Sequence, residues 1–289
     1  MDEAESKLQR LQKVEFELLR DVDQLCKLHQ VDYWLACGTL LGAVRHKDFI
    51  PWDDDVDIFM TRDNYEKFLS IPAEAIPDTM HIRTYMNTSA SDSNISFQTK
   101  IESTRKKVVR KIGHKKVELM IWIDIFIIDG MPKSRLKRKL HYINLIFHQT
   151  LFRIARSYRY GELKEKKRGA LERLGVKIAH LIPIGKMLDI QRAMSRTEKL
   201  FSKYRFDTSD KVIAYVPLYR KKCIVDRCIF EGKRNVLFHG KSFPIPPGAE
   251  SYLATTYGDY MKMPPVEQRI PSHCEDVIEL TGIMSEEDE

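Results

Sequence analysis

An α/β (α+β) fold, with a small mixed sheet wrapped by helices, is what this 289-residue chain predicts, and three observations carry that reading. Leu8, Leu11, Val14, Leu18, Val22 and Leu25 recur at three- and four-residue steps, the apolar stripe of an amphipathic helix over about residues 4–29. The run "ELMIWIDIFIID", residues 118–129, is β-branched and aromatic and gives the strongest strand signal in the chain. Residues 134–206 return to helical spacing, so strands and helices share one chain.

Taken in order, the first helix leads into "VDYWLA", a short buried strand that ends at Gly38–Thr39. "LLGAVRH" is a short helical turn, and a loop to Asp54 leads into a second strand, "DVDIFM". Thr61 or Asp63 can cap the next helix, "NYEKFLS". Residues 72–95 are rich in Pro, Ser, Thr and Asn and read as loop, with a strand near "MHIRTY". "ISFQTKI" and "KKVVRKI" read as two further strands before the strand at 118–129. From residue 211 onward the pattern is mixed and ends in an acidic tail, "SEEDE", expected to be disordered.

Composition narrows the function classes. With 43% hydrophobic and 31% charged residues the chain reads as soluble and globular. No run of about 18 apolar residues exists for a membrane span, and the acidic, helical N-terminus is no secretory signal. A cytoplasmic location is expected. Cys26, Cys37, Cys223, Cys228 and Cys274 are odd in number and scattered, which suits free thiols in a reducing compartment. Cys223 and Cys228 with His239, His273 and Cys274 are a zinc candidate, but the gap between the cysteines fits a zinc knuckle poorly.

The net charge of +7 is uneven: residues 133–168 hold twelve Lys/Arg against Glu162 and Glu165, a net of +10, leaving 7 − 10 = −3 elsewhere. In that segment Leu136, Leu140, Ile143, Phe147, Leu151, Ile154 and Tyr158 form a helical stripe. The bland reading is a core-packing helix with a solvated face. The sharper one is an interfacial helix at anionic lipid, a peripheral membrane contact. The segment carries no RNA motif, so nucleic acid is not an expected partner.

The chemistry concentrates in "FIPWDDDVDIFM", where Asp53, Asp54, Asp55 and Asp57 crowd five positions between bulky apolar residues. Residues two apart on a strand face the same way, so Asp55 and Asp57 are expected to project together. Paired carboxylates at a strand end bridge divalent cations, and magnesium favours a few carboxylates plus substrate phosphates. A calcium loop of EF-hand type fails, since Ile58 and Asn64 stand where Gly and Glu are needed. Asp124 lies on a strand apolar on both faces, where a lone carboxylate is costly unless it meets a metal or a salt-bridging Arg or Lys. Asp129, at the strand end, reads as a turn residue. Gly38–Thr39, between a strand and a helix, offers backbone N–H groups to an anion. Arg45, His46 and Lys100 are candidate phosphate or leaving-group contacts, each with a surface role as the alternative.

At these residues the chain resembles a known family. "GTLLGAVRHKDFIPWDDDVDIFM" closely resembles the signature of the LicD family, which also includes fukutin-like proteins. "WIDIFIIDG" resembles its second acidic strand, and "FPIPPGAESYLATTYGDYMKMPP" its C-terminal block. The resemblance implies a nucleotidyltransferase-like fold: a catalytic core at 1–130, a basic helical insertion at 131–210, a C-terminal part at 211–283 completing the catalytic domain, and the tail at 284–289. It implies Mg²⁺ or Mn²⁺ held by Asp55, Asp57 and Asp124 with Asp53 as a fourth ligand, these aspartates being the catalytic set. The implied reaction moves a phosphorylated alcohol from a CDP-linked donor to a glycan hydroxyl and releases CMP. CDP-choline is the expected donor in the bacterial branch, CDP-ribitol in membrane-anchored fukutin relatives. A quaternary ammonium favours aromatic faces, which makes Trp52 and Tyr257, with Trp122, Tyr252 and Tyr260, candidates for the donor pocket. Two rivals stay open: NMP transfer from an NTP to a small molecule or tRNA, and a non-catalytic binder of membrane or nucleic acid.

Overall fold

The computed structural model describes residues 3–88, 96–112, 115–160, 189–216, 220–271 and 277–282. The expected acidic tail, His273 and Cys274 lie outside them, as do residues 161–188 of the basic segment. The chain divides into two compact units, residues 1–83 with 98–129 and 210–289, and residues 84–97 with 130–209.

The first unit is built on a curled mixed sheet. Helix α1, Glu3–Leu28, buries Leu11 against Val108 and Ile121. Strand β1, Trp34–Leu35, pairs antiparallel with β2, Val56–Thr61, and helix α2, Cys37–Arg45, lies between them in sequence. Helix α3, Arg62–Leu69, starts at Thr61, whose hydroxyl accepts from the Asn64 N–H, so Thr61 is the cap. Strand β3 is Met80–Arg83. The two strands expected around residues 95–112 are one, β4, Thr99–Ile112, with a register shift between Glu102 and Lys107 where it pairs β5, Lys115–Gly130. A bulge lets one strand bend with its partner, which two separate signals in sequence do not distinguish from two strands.

The sheet order is β1-β2-β5-β4-β10, where β10 is Val277–Gly282. β2 and β5 run parallel, and their neighbours in this order antiparallel. Along its outer edge β4 is covered by β3 at residues 100–103 and by β10 at 106–110. Strands β6, Lys211–Ala214, and β7, Ile224–Asp226, extend the sheet beside β5. A separate hairpin, β8, Arg234–Phe238, and β9, Lys241–Ile245, turns through His239 and Gly240, both at positive φ as a tight hairpin turn demands. Helix α6, Ala249–Tyr257, buries Tyr252 against Phe59 and Phe230, with ring centroids 5.4 and 5.9 Å away. Asp129, expected in a turn, is instead buried and clamped by Arg62, whose Nε and Nη2 donate to its two oxygens at 2.9 and 2.7 Å.

The second unit pairs helix α4, Arg135–Tyr160, with α5, Ile190–Phe201. Phe152, Ala155, Ile190, Ala193 and Met194 form its core, with Tyr85 and Phe97 against it. Asp189 caps α5 by accepting from the Arg192 N–H at 2.8 Å.

Candidate active site

The site begins where β1 turns into α2. Cys37 opens α2 at φ +46°, a left-handed conformation that a non-glycine residue keeps only where its surroundings enforce it. Ala36 has no side chain to cap α2, so the anion-favouring start of that helix is left to other groups. A Cβ at Gly38 would stand 2.5 Å from Asp53 Oδ2, so glycine here is what lets the Asp53 carboxylate lie against the helix start. The Thr39 hydroxyl accepts from the Asp57 N–H at 2.9 Å, and the Ala36 N–H donates to the Asp57 carbonyl at 2.9 Å. Thr39 and Ala36 thus hold the backbone N–H and carbonyl of Asp57.

The carboxylates come together both along the chain and across the sheet. β2 begins at Val56, so Asp55 stands in the incoming loop, and Asp57 finds its strand neighbour across the sheet. It is Asp124, directly opposite on parallel β5. Asp53, Asp54 and Asp55 each offer an oxygen within 4.8 Å of the others. Burial, then Asp55, Asp124 and Asp53, hold the Asp57 carboxyl well above the usual range, and burial with Asp55 and Asp54 does the same for Asp53.

Asp124 has a salt-bridging partner as well as carboxylate neighbours. Lys100, opposite it on β4, places Nζ 2.8 Å from Oδ1, and Trp122 Nε1 donates to Oδ2 at 2.9 Å. The Lys100 ammonium also lies 3.9 Å from the Trp122 ring centre. Burial lowers the pKa of Lys100 and Asp124 raises it. Lys100 is therefore bound into the carboxylate group.

The flanking candidates are tied to one another. Arg45 Nε donates to His46 Nε2 at 2.9 Å, and Arg45 Nη1 to the Tyr260 carbonyl at 2.9 Å. Burial and the Arg45 charge lower the pKa of His46, so at neutral pH it is a neutral acceptor. Arg269 lies over the half-buried Trp52 ring at 5.7 Å. Tyr257 is half-buried and within electrostatic reach of Arg45. Tyr252 is fully buried in the aromatic core, which removes it from any donor pocket. The faces of Trp52 and Trp122 each already carry a cation of the chain.

Three residues escaped sequence reasoning. Asp54 is buried within the aspartate triplet. Gln12 Nε2 donates to the Asp53 carbonyl at 2.7 Å. Glu15, at 3% exposure, has no hydrogen-bond partner for Oε2 among the described residues, and burial followed by Asp55, Asp54, Asp53 and Asp124 raises its pKa well above normal. The signal was present: Glu15 stands four residues after Leu11 and three before Leu18, a carboxylate on the apolar stripe.

The donor set suits a hard divalent cation. Its ligands are all carboxylate oxygens, and among the described residues Lys100 is the ammonium drawn into this acidic group. Among the described residues the zinc candidate's members do not gather: Cys223 Sγ bonds the Val216 backbone, Cys228 is exposed, and His239 Nδ1 lies 2.8 Å from Asp48, while His273 and Cys274 lie outside the described residues.

Known proteins similar to the chain include transferases of phosphorylated alcohols. The chain is 27% identical over 275 residues to the lipopolysaccharide cholinephosphotransferase LicD of Haemophilus influenzae, covering 93% of this chain and 97% of that protein. The ribitol 5-phosphate transferase FKRP of Homo sapiens is 68% identical over 28 residues, 10% of this chain and 6% of its own length. A protein of Rickettsia prowazekii is 49% identical over 43 residues, 16% of its length. Residues 30–139, which hold the Gly-Thr turn and every site aspartate, match the family described as LicD/FKTN/FKRP, nucleotidyltransferase domain. Over residues 30–139 the chain is thus similar to the LicD family, and along nearly its whole length to one cholinephosphotransferase.

Proposed function

We propose that the chain transfers a phosphorylated alcohol, phosphocholine before others, from a CDP-linked donor to a hydroxyl of a cell-surface glycan such as lipopolysaccharide or teichoic acid, releasing CMP in the cytoplasm. The observation that carries this reading is the carboxylate group: Asp57 opposite Asp124 on neighbouring strands, with Asp53, Asp54 and Asp55 gathered beside a Gly-Thr helix start. The relative named above, a cholinephosphotransferase aligned along nearly the whole chain, supports the class of reaction and the choline.

Asp53, Asp55, Asp57 and Asp124 would hold Mg²⁺ or Mn²⁺, which in such a site neutralises a diphosphate and stabilises the entering and leaving oxygens. The remaining work belongs to the chain. Thr39 and Ala36 fix the backbone of Asp57, and Lys100 with Trp122 fixes both oxygens of Asp124. Asp55, outside the strand and half-buried, takes the proton of the acceptor hydroxyl. The hydroxyl oxygen attacks the phosphorus that bears the alcohol, the bond from that phosphorus to the CMP oxygen breaks, and CMP carries away the electron pair. Phosphoryl transfer of this kind rests on positioning and charge, not on a covalent intermediate. With two tryptophan faces already occupied, Tyr257 and Tyr260 are the aromatic groups left to meet a quaternary ammonium.

CMP release from equal concentrations of CDP-choline, CDP-ribitol and CDP-glycerol with Mg²⁺ tests this. Faster turnover of a polyol donor overturns the choline assignment alone. Release of pyrophosphate from an NTP, with no CMP from any donor, overturns the reaction class.

A further inference from the structure

Helix α4 has two apolar faces, and among the described residues only one of them is packed. Tyr142, Leu145, Phe152 and Ala155 are buried, the last two in the core with α5. At about 100° per residue, Leu136, Leu140, Ile143 and Phe147 fall together on the opposite side. There they are 67%, 58%, 52% and 56% exposed. Half-buried Leu151 and Ile154 continue the same stripe. Large apolar side chains scattered singly over a surface need no explanation, but a contiguous stripe of four does.

The charge around the stripe says what it meets. The 26 residues of α4 include seven Lys/Arg and no Asp or Glu. Exposed Lys137 and Lys139 flank the stripe on either side, and exposed Lys133 and Arg135 stand at its start. A protein partner of mixed surface charge gains little from so one-sided a rim, whereas an anionic lipid surface presents phosphates to the basic rim and acyl chains to the stripe. Among the described residues no helix is long and apolar enough to cross a membrane. A helix of this kind lies in the plane of the interface.

We propose that the outward face of α4 is a membrane-docking surface that binds anionic lipid, with Leu136, Leu140, Ile143 and Phe147 entering the interface and Lys133, Arg135, Lys137 and Lys139 contacting the headgroups. Docking there sets the enzyme beside glycan acceptors that are carried on lipid.

The test is flotation of the full chain with vesicles of equimolar phosphatidylglycerol and phosphatidylcholine, and with vesicles of phosphatidylcholine alone. The wild-type chain should float with the anionic vesicles, should not with the neutral ones, and should be released by high salt. The double variant Leu140→Gln/Phe147→Gln changes only exposed side chains, so its thermal unfolding should match wild type while its partitioning falls about tenfold or more. Lys137→Glu/Lys139→Glu should lose the preference for anionic vesicles. Absence of wild-type binding, or binding that the Leu140/Phe147 variant retains in full, overturns the proposal. A concentration-dependent dimer that the same variant abolishes, without vesicle binding, gives the face to a second copy and also overturns it. CMP release toward a soluble acceptor is read separately and should be unchanged in both variants, so failure here is distinct from failure of the catalytic reading.

Discussion

Asp57 is buried beside Asp55, Asp124 and Asp53, and all four circumstances oppose its ionisation. Its carboxyl is raised in the folded state, so the folded chain holds a proton that the unfolded chain gives up near pH 4. The stability contributed is complete below that pH and drains away as pH rises through the folded value. In the absence of metal, Asp57→Asn should therefore melt higher than wild type at neutral pH, and the difference should shrink toward pH 5. Melting curves in chelator at the two pH values read this directly. The same variant should lose catalysis by about a hundredfold or more, because a site ligand worth several kcal/mol in the transition state is gone. Undiminished turnover of Asp57→Asn in saturating Mg²⁺ would remove Asp57 from the metal site. Gly38→Ala tests the neighbouring close approach, since the new methyl would stand 2.5 Å from Asp53 Oδ2 and must displace that carboxylate. Mg²⁺ affinity should fall in that variant with little loss of folded protein. Among the four described cysteines only Cys228 is exposed, while burial pushes Cys26 up to about 12 and Cys223 to about 11. Alkylation under native conditions should therefore label Cys228 far ahead of those two. At this scale the aspartates themselves were legible, because acidic residues crowded between apolar ones are a local anomaly. Asp54 and Glu15 were not identified, since which carboxylates turn inward depends on how α1 lies on the sheet.

At the scale of elements, periodicity located α1 and β5 to within a few residues of their ends and read the cap of α3 as one of two residues, of which Thr61 is the one used. Thr61→Ala should cost about 1 kcal/mol, the usual loss for such a cap, measurable by denaturant unfolding. The acidic strand has a neighbour that the expected pairing of Asp55 with Asp57 does not include. The partner that faces Asp57 is supplied across a parallel pair, by a residue far along the chain, and period two within a single strand cannot report it. Asp129 was misread for the same reason. Its partner Arg62 lies 67 residues earlier, on the first turn of α3. Arg62→Ala would leave a buried carboxylate unpaired and should destabilise the first unit by about 3–5 kcal/mol, whereas replacing both residues with apolar ones should recover much of that loss.

At the scale of the molecule, the fold class could be read from the alternation of strand and helix signals, and the family resemblance from blocks of residues that lie far apart in sequence. What brings those blocks together could not be read. The carbonyl that anchors Arg45 belongs to Tyr260, and the imidazole beside Asp48 belongs to His239 in a hairpin whose aromatic residues pack on Phe16 and Phe49. A cation bound by the carboxylates of the folded chain alone should stabilise it by about 2.7 kcal/mol at a hundredfold excess over its Kd. Titrating Mg²⁺ should therefore raise the melting temperature, and chelation should reverse the rise. The outer edge of β4 carries a further consequence, one that concerns synthesis. A ribosome delivers β4 and β5 long before it delivers β10, so the stretch of β4 at residues 106–110 waits through most of translation without its final neighbour. An open strand edge recruits other chains. Lys106 and Lys107 lie on this stretch, and like charges set side by side oppose the zipping of two nascent chains before β10 arrives.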